Sequence, residues 1–325
     1  MKPSYTKYLF LGALGLLSLS FSIQAQSTYP NKSIKLIVGF APGSSSDVAA
    51  RVVGEKMSQI LGQSVVVENR PGGSSNVAAK LVANSNPDGY TLFLCTVANV
   101  LNFVGKGSTE IDLATDLNAI SMIGSVPNIL VVHPSLNVHS VDQLVQLLKN
   151  KPNQIPYATA GNGTALHMAA LLFSMMADVK MIHIPYQGST AALTDLLAGR
   201  TSVMFAPTST VTQYVKSGKL EALAVTSMKR SSLVPELSTL NEQGLTGFES
   251  TVWFGVMSPN GVPESVALTL NKAIATAIQT TEVQSQFKAQ GIESSYLNQK
   301  DFTAYIRGEN TKWANVIKNA NIKFD

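Results

Sequence analysis

A single cysteine in 325 residues sets the first limit. Cys95 has no partner, so no intramolecular disulfide can form. It sits in the apolar run Thr91–Cys95, which reads as a buried strand, and its expected role is that of a small core residue. Histidine is almost as scarce. The four, at 133, 139, 167 and 183, show none of the spacing of metal ligands, and no metal or other cofactor is expected. Serines abound, but no Gly-x-Ser-x-Gly elbow is present. No carboxylate pair stands in a loop suited to acid–base work. Catalysis is therefore not expected. Charge is low at 14%, dispersed, and only +4 in balance. No basic block offers a surface for nucleic acid. After the N-terminal segment no apolar run approaches the ~20 residues that a membrane span needs.

The N-terminal segment is the exception. Lys2 and Lys7 precede an apolar stretch from Tyr8 to Leu19, and small and polar residues lead to Gln24-Ala25-Gln26. This is the layout of a secretory signal peptide over residues 1–25, cut near Ala25. No cysteine lies near Ala25, so lipid attachment to an N-terminal cysteine at the cut is not expected. A soluble exported protein is expected.

Two segments carry the chemistry. In the first, the β-branched run Ile34–Val38 enters Phe40-Ala-Pro-Gly-Ser-Ser-Ser-Asp47, and an apolar-periodic run leaves it toward Leu61. That is strand, turn, helix, with Ser46 or Asp47 as the expected N-cap. The first amides of such a helix lack internal partners and, with the helix dipole, attract an anion. In the second, Tyr157-Ala-Thr-Ala-Gly-Asn-Gly-Thr-Ala-Leu-His167 has the same build and runs on to Met176. Gly161 and Gly163 allow close backbone approach. The third position of a dinucleotide fingerprint would be Leu166, so that motif is a poor match. Two anion-receptive helix starts far apart in sequence suggest a ligand held between two lobes.

Along the chain, short apolar strands alternate with amphipathic helices. Strands are expected at 34–39, 64–67, 91–95, 129–132, 155–158, 181–184, 202–205, 222–226 and 252–257. Helices are expected near 47–61, 75–84, 140–150, 164–176, 189–198, 264–279 and 299–319. Alternation of this kind predicts α/β layers on largely parallel sheets. The part before residue 124 is an incomplete sheet, and Trp253-Phe-Gly-Val-Met257 with the C-terminal helices can complete it.

These stretches also carry a resemblance. Tyr29 through Gly43, Asp47 with Ala50-Arg51, Val67-Glu-Asn-Arg-Pro-Gly-Gly73, Pro87-Asp-Gly-Tyr-Thr-Leu92, Tyr157 through His167, His183-Ile-Pro-Tyr-Gln-Gly188 and Trp253-Phe-Gly-Val occur in the order and spacing of one family. The chain resembles the periplasmic solute-binding proteins of tripartite tricarboxylate transporters, the Bug-type family. The resemblance implies a Venus-flytrap fold: two α/β lobes closing over a cleft that holds a small mono- or dicarboxylate. Residues 26–124 and 227–325 would form lobe 1 and residues 125–226 lobe 2. It further implies a monomer, periplasmic location and an inner-membrane transporter as partner. A membrane sensor is the alternative partner, which sequence does not separate from transport.

The resemblance makes the first loop, Phe40, Ala41, Gly43, Ser44, Ser45 and Ser46, a ligand contact, with serines where glycines are more usual. Asp47 reads as a structural cap, since a carboxylate would repel an anionic ligand. Asn69 would border the cleft, and Arg70 is open between balancing a carboxylate and a salt bridge with Glu68 or Asp47, the simpler option. In the second loop Thr159, Ala160, Gly161, Gly163 and Thr164 would face the ligand, and His167 is open between ligand contact and packing. Thr96, Ala98, Asn99 and Tyr186 follow strands where open α/β sheets place ligands, each open between cleft wall and local structure. After Phe205 related chains often carry an aspartate. Ala206 stands there instead, open between a neutral loop variation and a pocket that favours ligands without an ammonium group.

Overall fold

The computed structural model describes residues 29–107 and 110–322. The leader expected over 1–25 lies outside the described residues. The first sheet is opened by β1 (Ile34–Val38), flanked in parallel by β2 (Val65–Asn69) and β3 (Thr91–Thr96), with α1 (Ser45–Leu61) and α2 (Asn76–Ala83) as crossovers. After β3 the chain forms α3 (Val97–Lys106) and then β4 (Leu117–Val132). The second sheet follows with α4 (Val141–Asn150), β5 (Pro156–Thr159), α5 (Ala165–Ala177), β6 (Ile182–Pro185), α6 (Ser189–Leu197), β7 (Val203–Pro207), α7 (Thr208–Lys216) and β8 (Glu221–Val225). The chain then returns through β9 (Thr251–Pro259), α8 (Glu264–Gln279), α9 (Thr281–Ala289), β10 (Glu293–Leu297) and α10 (Gln299–Ala320).

The long strand β4 joins the two sheets. From Leu117 to Pro127 it pairs with β9, and Ser125 and Gly124 meet β10. From Asn128 to Val132 it pairs with β7 and, on its other edge, β8. The strand order is β2-β1-β3-β9-β4-β7-β5-β6, so the ladder is continuous through β4. Trp253 to Met257 does complete the first sheet, between β3 and β4. The expectation of largely parallel sheets needs correction. Five of the nine pairings are antiparallel, because β4 and β9 run past one another between the parallel sets β2-β1-β3 and β7-β5-β6.

Side-chain alternation assigns the strands to their cores. On β1, Ile34, Leu36 and Val38 pack with α1 and α8, through Val53, Leu270 and Ile274. On β4, Ile129 and Val131 face a core with Leu196 and Val211, whereas Leu130 and Val132 turn to the opposite side. That side is one cluster running from Ile37 and Phe93 through Trp253 and Trp313 to Phe173 and Phe205. α10 covers it with a stripe of Phe302, Ile306, Trp313 and Val316 at helical spacing. Glu309 interrupts the stripe and is only 4% exposed. Its Oε2 accepts from the indole nitrogens of Trp253 at 2.9 Å and Trp313 at 3.0 Å, and its other oxygen pairs with Lys312. Cys95 is buried, its thiol 3.3 Å from the Gly255 carbonyl, and burial pushes its pKa up.

Candidate functional site

The start of α1 is built as a closed frame. Ser44, in extended backbone, is the N-cap in place of the expected Ser46 or Asp47, and its hydroxyl accepts from the Asp47 amide at 3.3 Å. Asp47 then reaches back. Its Oδ2 accepts from the Gly43 amide at 2.9 Å and from Arg51 Nε at 3.0 Å. Its Oδ1 accepts from Asn69 Nδ2 at 2.8 Å and lies 2.9 Å from Arg51 Nη2. Asn69 also donates to the Phe40 carbonyl at 3.0 Å, tying the loop to the end of β2. Burial works to raise the Asp47 pKa, but hydrogen bonds from Arg51, Gly43 and Asn69 outweigh it and hold the carboxyl below its usual range.

The start of α5 repeats this frame with different chemistry. Thr164 is the N-cap, with φ −70° and ψ 158° against −68° and 158° at Ser44. Its hydroxyl accepts from the His167 amide at 3.4 Å. His167 stands where Asp47 stands, and its Nδ1 accepts from the Gly163 amide at 3.1 Å. Gly43 and Gly163 share a left-handed φ, 81° and 69°, which glycine adopts without steric cost. His167 is buried and stacks on His183, ring centroids 4.0 Å apart, and His183 stacks on Tyr157. Burial, with His183 adding to it, pushes the His167 pKa down to about 3. Burial also lowers that of His183. A neutral His167 keeps the Nδ1 lone pair that the Gly163 amide needs.

A third helix start completes the site. Thr96 caps α3: its hydroxyl accepts from the Ala98 amide, and Asn99 Oδ1 accepts from the Thr96 amide, both at 3.1 Å. The first turns of α1, α3 and α5 border one cavity of about 480 Å³. Of the residues expected at a site, Phe40, Ser45, Ser46, Thr96, Ala98, Gly163 and Thr164 line it. The amides of Ser45, Ser46 and Ala165 have no acceptor among the described residues. No aspartate, glutamate or arginine is among the lining residues.

Other expected residues stand behind this wall or away from it. Gly43, Ser44, Asp47 and Asn69 build the α1 frame, and His167 builds that of α5. Asn99 is buried as the partner of the Thr96 cap. Thr159 is buried with its hydroxyl 2.6 Å from His183 Nε2. Gly161 passes close to β6's end, where a Cβ would meet the Tyr186 carbonyl at 3.4 Å. Ala41 is exposed and Ala160 packs against the second sheet's core. The Tyr186 hydroxyl donates to Asp195 at 2.7 Å and so belongs to a surface network with Arg200. Ala206 corrects a sequence expectation: it pairs with Ile129 inside the sheet, is fully buried, and does not border the cavity. Arg70 pairs with Glu68 at 3.3 Å, the simpler of its two options.

The lining also holds residues that sequence reasoning passed over: Ser74, Leu101, Asn102, Lys106, Asn162, Val252 and Phe254. Leu101, Asn102 and Lys106 lie on α3, a helix that was not expected. Its signal was present as Thr96 followed three residues on by Asn99, a variant of the capping box. Ser74 has a left-handed φ of 50°, and Asn102 Nδ2 braces it by donating to the Gly73 and Ser74 carbonyls at 3.1 and 3.0 Å.

Comparison with known proteins identifies the family. Protein BugT of Bordetella pertussis is 34% identical over 319 residues, covering 96% of this chain and 98% of its own. A Pseudomonas protein from the tcbD-tcbE intergenic region is 32% identical over 306 residues, covering 94% and 91%. Among solved structures, R. palustris Rpa4515 with adipate shares 31% identity and a TM-score of 0.73, covering 91% of this chain and 99% of its own. A TctC solute-binding protein from Polaromonas, solved without ligand, gives 25% identity and a TM-score of 0.82, covering 90% and 100%. The model of the tripartite tricarboxylate transporter family receptor, TctC, matches residues 49–322. The chain belongs to the TctC family of solute-binding receptors.

Proposed function

We propose that this protein captures a small mono- or dicarboxylate in the periplasm and presents it to a tripartite tricarboxylate-type transporter. The observation that carries the reading is the convergence of three helix N-termini, α1, α3 and α5, on one cavity without a lining acid. Free first-turn amides and serine hydroxyls suit a carboxylate and need no arginine clamp. The adipate in the R. palustris relative supports the ligand class. The absence of an acid at position 206 no longer bears on ligand choice, since that residue lies inside the sheet.

The lobes of this reading are residues 26–124 with 227–325, and 125–226. Support comes from β4, whose partners change between Pro127 and Asn128. Closure would flex the chain where β4 and the segment before β9 pass between the sheets. The α1 frame belongs to one lobe and the α5 frame to the other, so closure would bring their free amides onto a single anion.

The test is a thermal-shift screen with adipate, succinate, hexanoate, benzoate, amino acids and sugars. A carboxylate at a hundredfold excess over Kd stabilises by roughly 2.7 kcal/mol and raises the melting temperature. Shifts confined to sugars or to cations overturn the reading.

A further inference from the structure

The helix α3 lines the cavity from end to end. Ala98, Leu101, Asn102 and Lys106 all border it, and steps of three and four residues keep them on one face. Ala98 and Lys106 stand about 12 Å apart along the helix axis. One end of this wall is a helix start and the other is an ammonium group. The lining includes the apolar Phe40, Leu101, Val252 and Phe254 beside the polar Ser74 and Asn102. Lys106 is exposed. No carboxylate lies within ion-pair distance of it among the described residues. No acidic residue of the cavity wall balances its charge.

We propose that Lys106 is a second anchor, which selects linear α,ω-dicarboxylates over monocarboxylates of the same length. This rests on reading the cavity as a carboxylate site and adds the distal contact that sets specificity. One carboxylate sits at the helix starts, the methylene chain lies along Leu101 and the phenylalanines, and the second carboxylate meets the Lys106 ammonium. Side chains on a helix lean toward its N-terminus, so the ammonium lies nearer to the helix start than its Cα does. At the C-terminal end of α3 the helix dipole is unfavourable to an anion. Lys106 offsets it there, so its loss is felt most by the distal carboxylate.

Titration calorimetry on the full mature chain tests this, using adipate, suberate, succinate, hexanoate and octanoate at low salt. The wild type is expected to bind adipate or suberate about tenfold more tightly than the matched monoacid, a difference of about 1.4 kcal/mol. Lys106→Gln should erase that preference by weakening the diacid far more than the monoacid, while Lys106→Arg should retain most of it. Added salt should shrink the preference, as for any exposed ion pair. If carboxylates bind but Lys106→Gln leaves the diacid-to-monoacid ratio unchanged, the anchor is refuted and the carboxylate site stands. If no carboxylate binds the wild type, the reading of the cavity itself fails, and the anchor with it.

Discussion

Replacing Glu309 by leucine is expected to destabilise the protein through three groups at once. The carboxylate is almost fully buried and serves as acceptor for the indole N–H groups of Trp253 and Trp313. It also pairs with Lys312, which in turn donates to the Glu249 carbonyl at 2.9 Å. Leucine fills the volume and restores none of these bonds. Each buried indole N–H left without a partner costs about 1–3 kcal/mol. Lys312 keeps its carbonyl contact and some solvent, so its share is smaller. The expected total is ~3–5 kcal/mol, the range found when one member of a buried pair is removed. The chain has only these two tryptophans, so their emission reports this cluster alone. Urea unfolding followed by tryptophan emission and by far-ultraviolet dichroism should show a lower midpoint by both probes, with altered native emission. A variant within about 1 kcal/mol of wild type with unchanged emission would refute the reasoning, because it would mean the indoles find other acceptors.

Two further outcomes follow from other buried groups. Ala206→Asp should not tune ligand choice but should destabilise the fold by about 3 kcal/mol or more, since a carboxylate would enter a sheet core without a partner; unchanged thermal stability of the variant would overturn that placement. His167 has a folded pKa of about 3 against about 6.5 when unfolded, so the unfolded chain takes up the proton first. Its stabilisation is complete above about pH 6.5 and is lost as pH falls from there toward 3, by up to ~1.4 kcal/mol per pH unit. His167→Asn keeps an acceptor for the Gly163 amide and should flatten this part of the stability–pH curve relative to wild type; parallel curves count against the assignment.

The parts of the fold that sequence made legible are those where one signal dominated. β1, β3 and β5 are short, mostly apolar runs, and α4, α8 and α10 have clear periodicity and, in α4 and α10, a capping residue. β4 was reduced to 129–132, although it extends from Leu117. Its first half carries Asn118, Ser121 and Gly124, which break the alternation of a half-buried strand. These residues are accommodated by tertiary contacts: Ser121 donates to the Leu297 carbonyl, and Gly124 admits the Glu293 carbonyl where a Cβ would lie 2.7 Å from it. α3 was missed because its apolar residues directly continue the β3 run, so strand and helix read as one segment. That omission also hid Leu101, Asn102 and Lys106, three of the sixteen residues that line the cavity.

At the site itself, sequence located the two loops but could not separate the residues that face a ligand from those that build the frame. The distinction lies in which atoms are already engaged. Gly43, Asp47, Arg51 and Asn69 use their polar groups on one another, as do Gly163 and His167. This explains how an acid and a histidine can occupy the same position of equivalent frames. The position requires one thing, an acceptor for the amide of the preceding left-handed glycine. A carboxylate meets that need only with a cation beside it, and Arg51 supplies one four residues on. A neutral imidazole meets it without a counter-ion, and burial keeps His167 neutral. In both loops the acceptor is neutralised or uncharged, so neither opposes an anion at the helix start. The first-turn amides without an acceptor among the described residues, those of Ser45 and Ser46 in α1 and of Ala165 and Leu166 in α5, are then the groups of these two frames available to an incoming carboxylate.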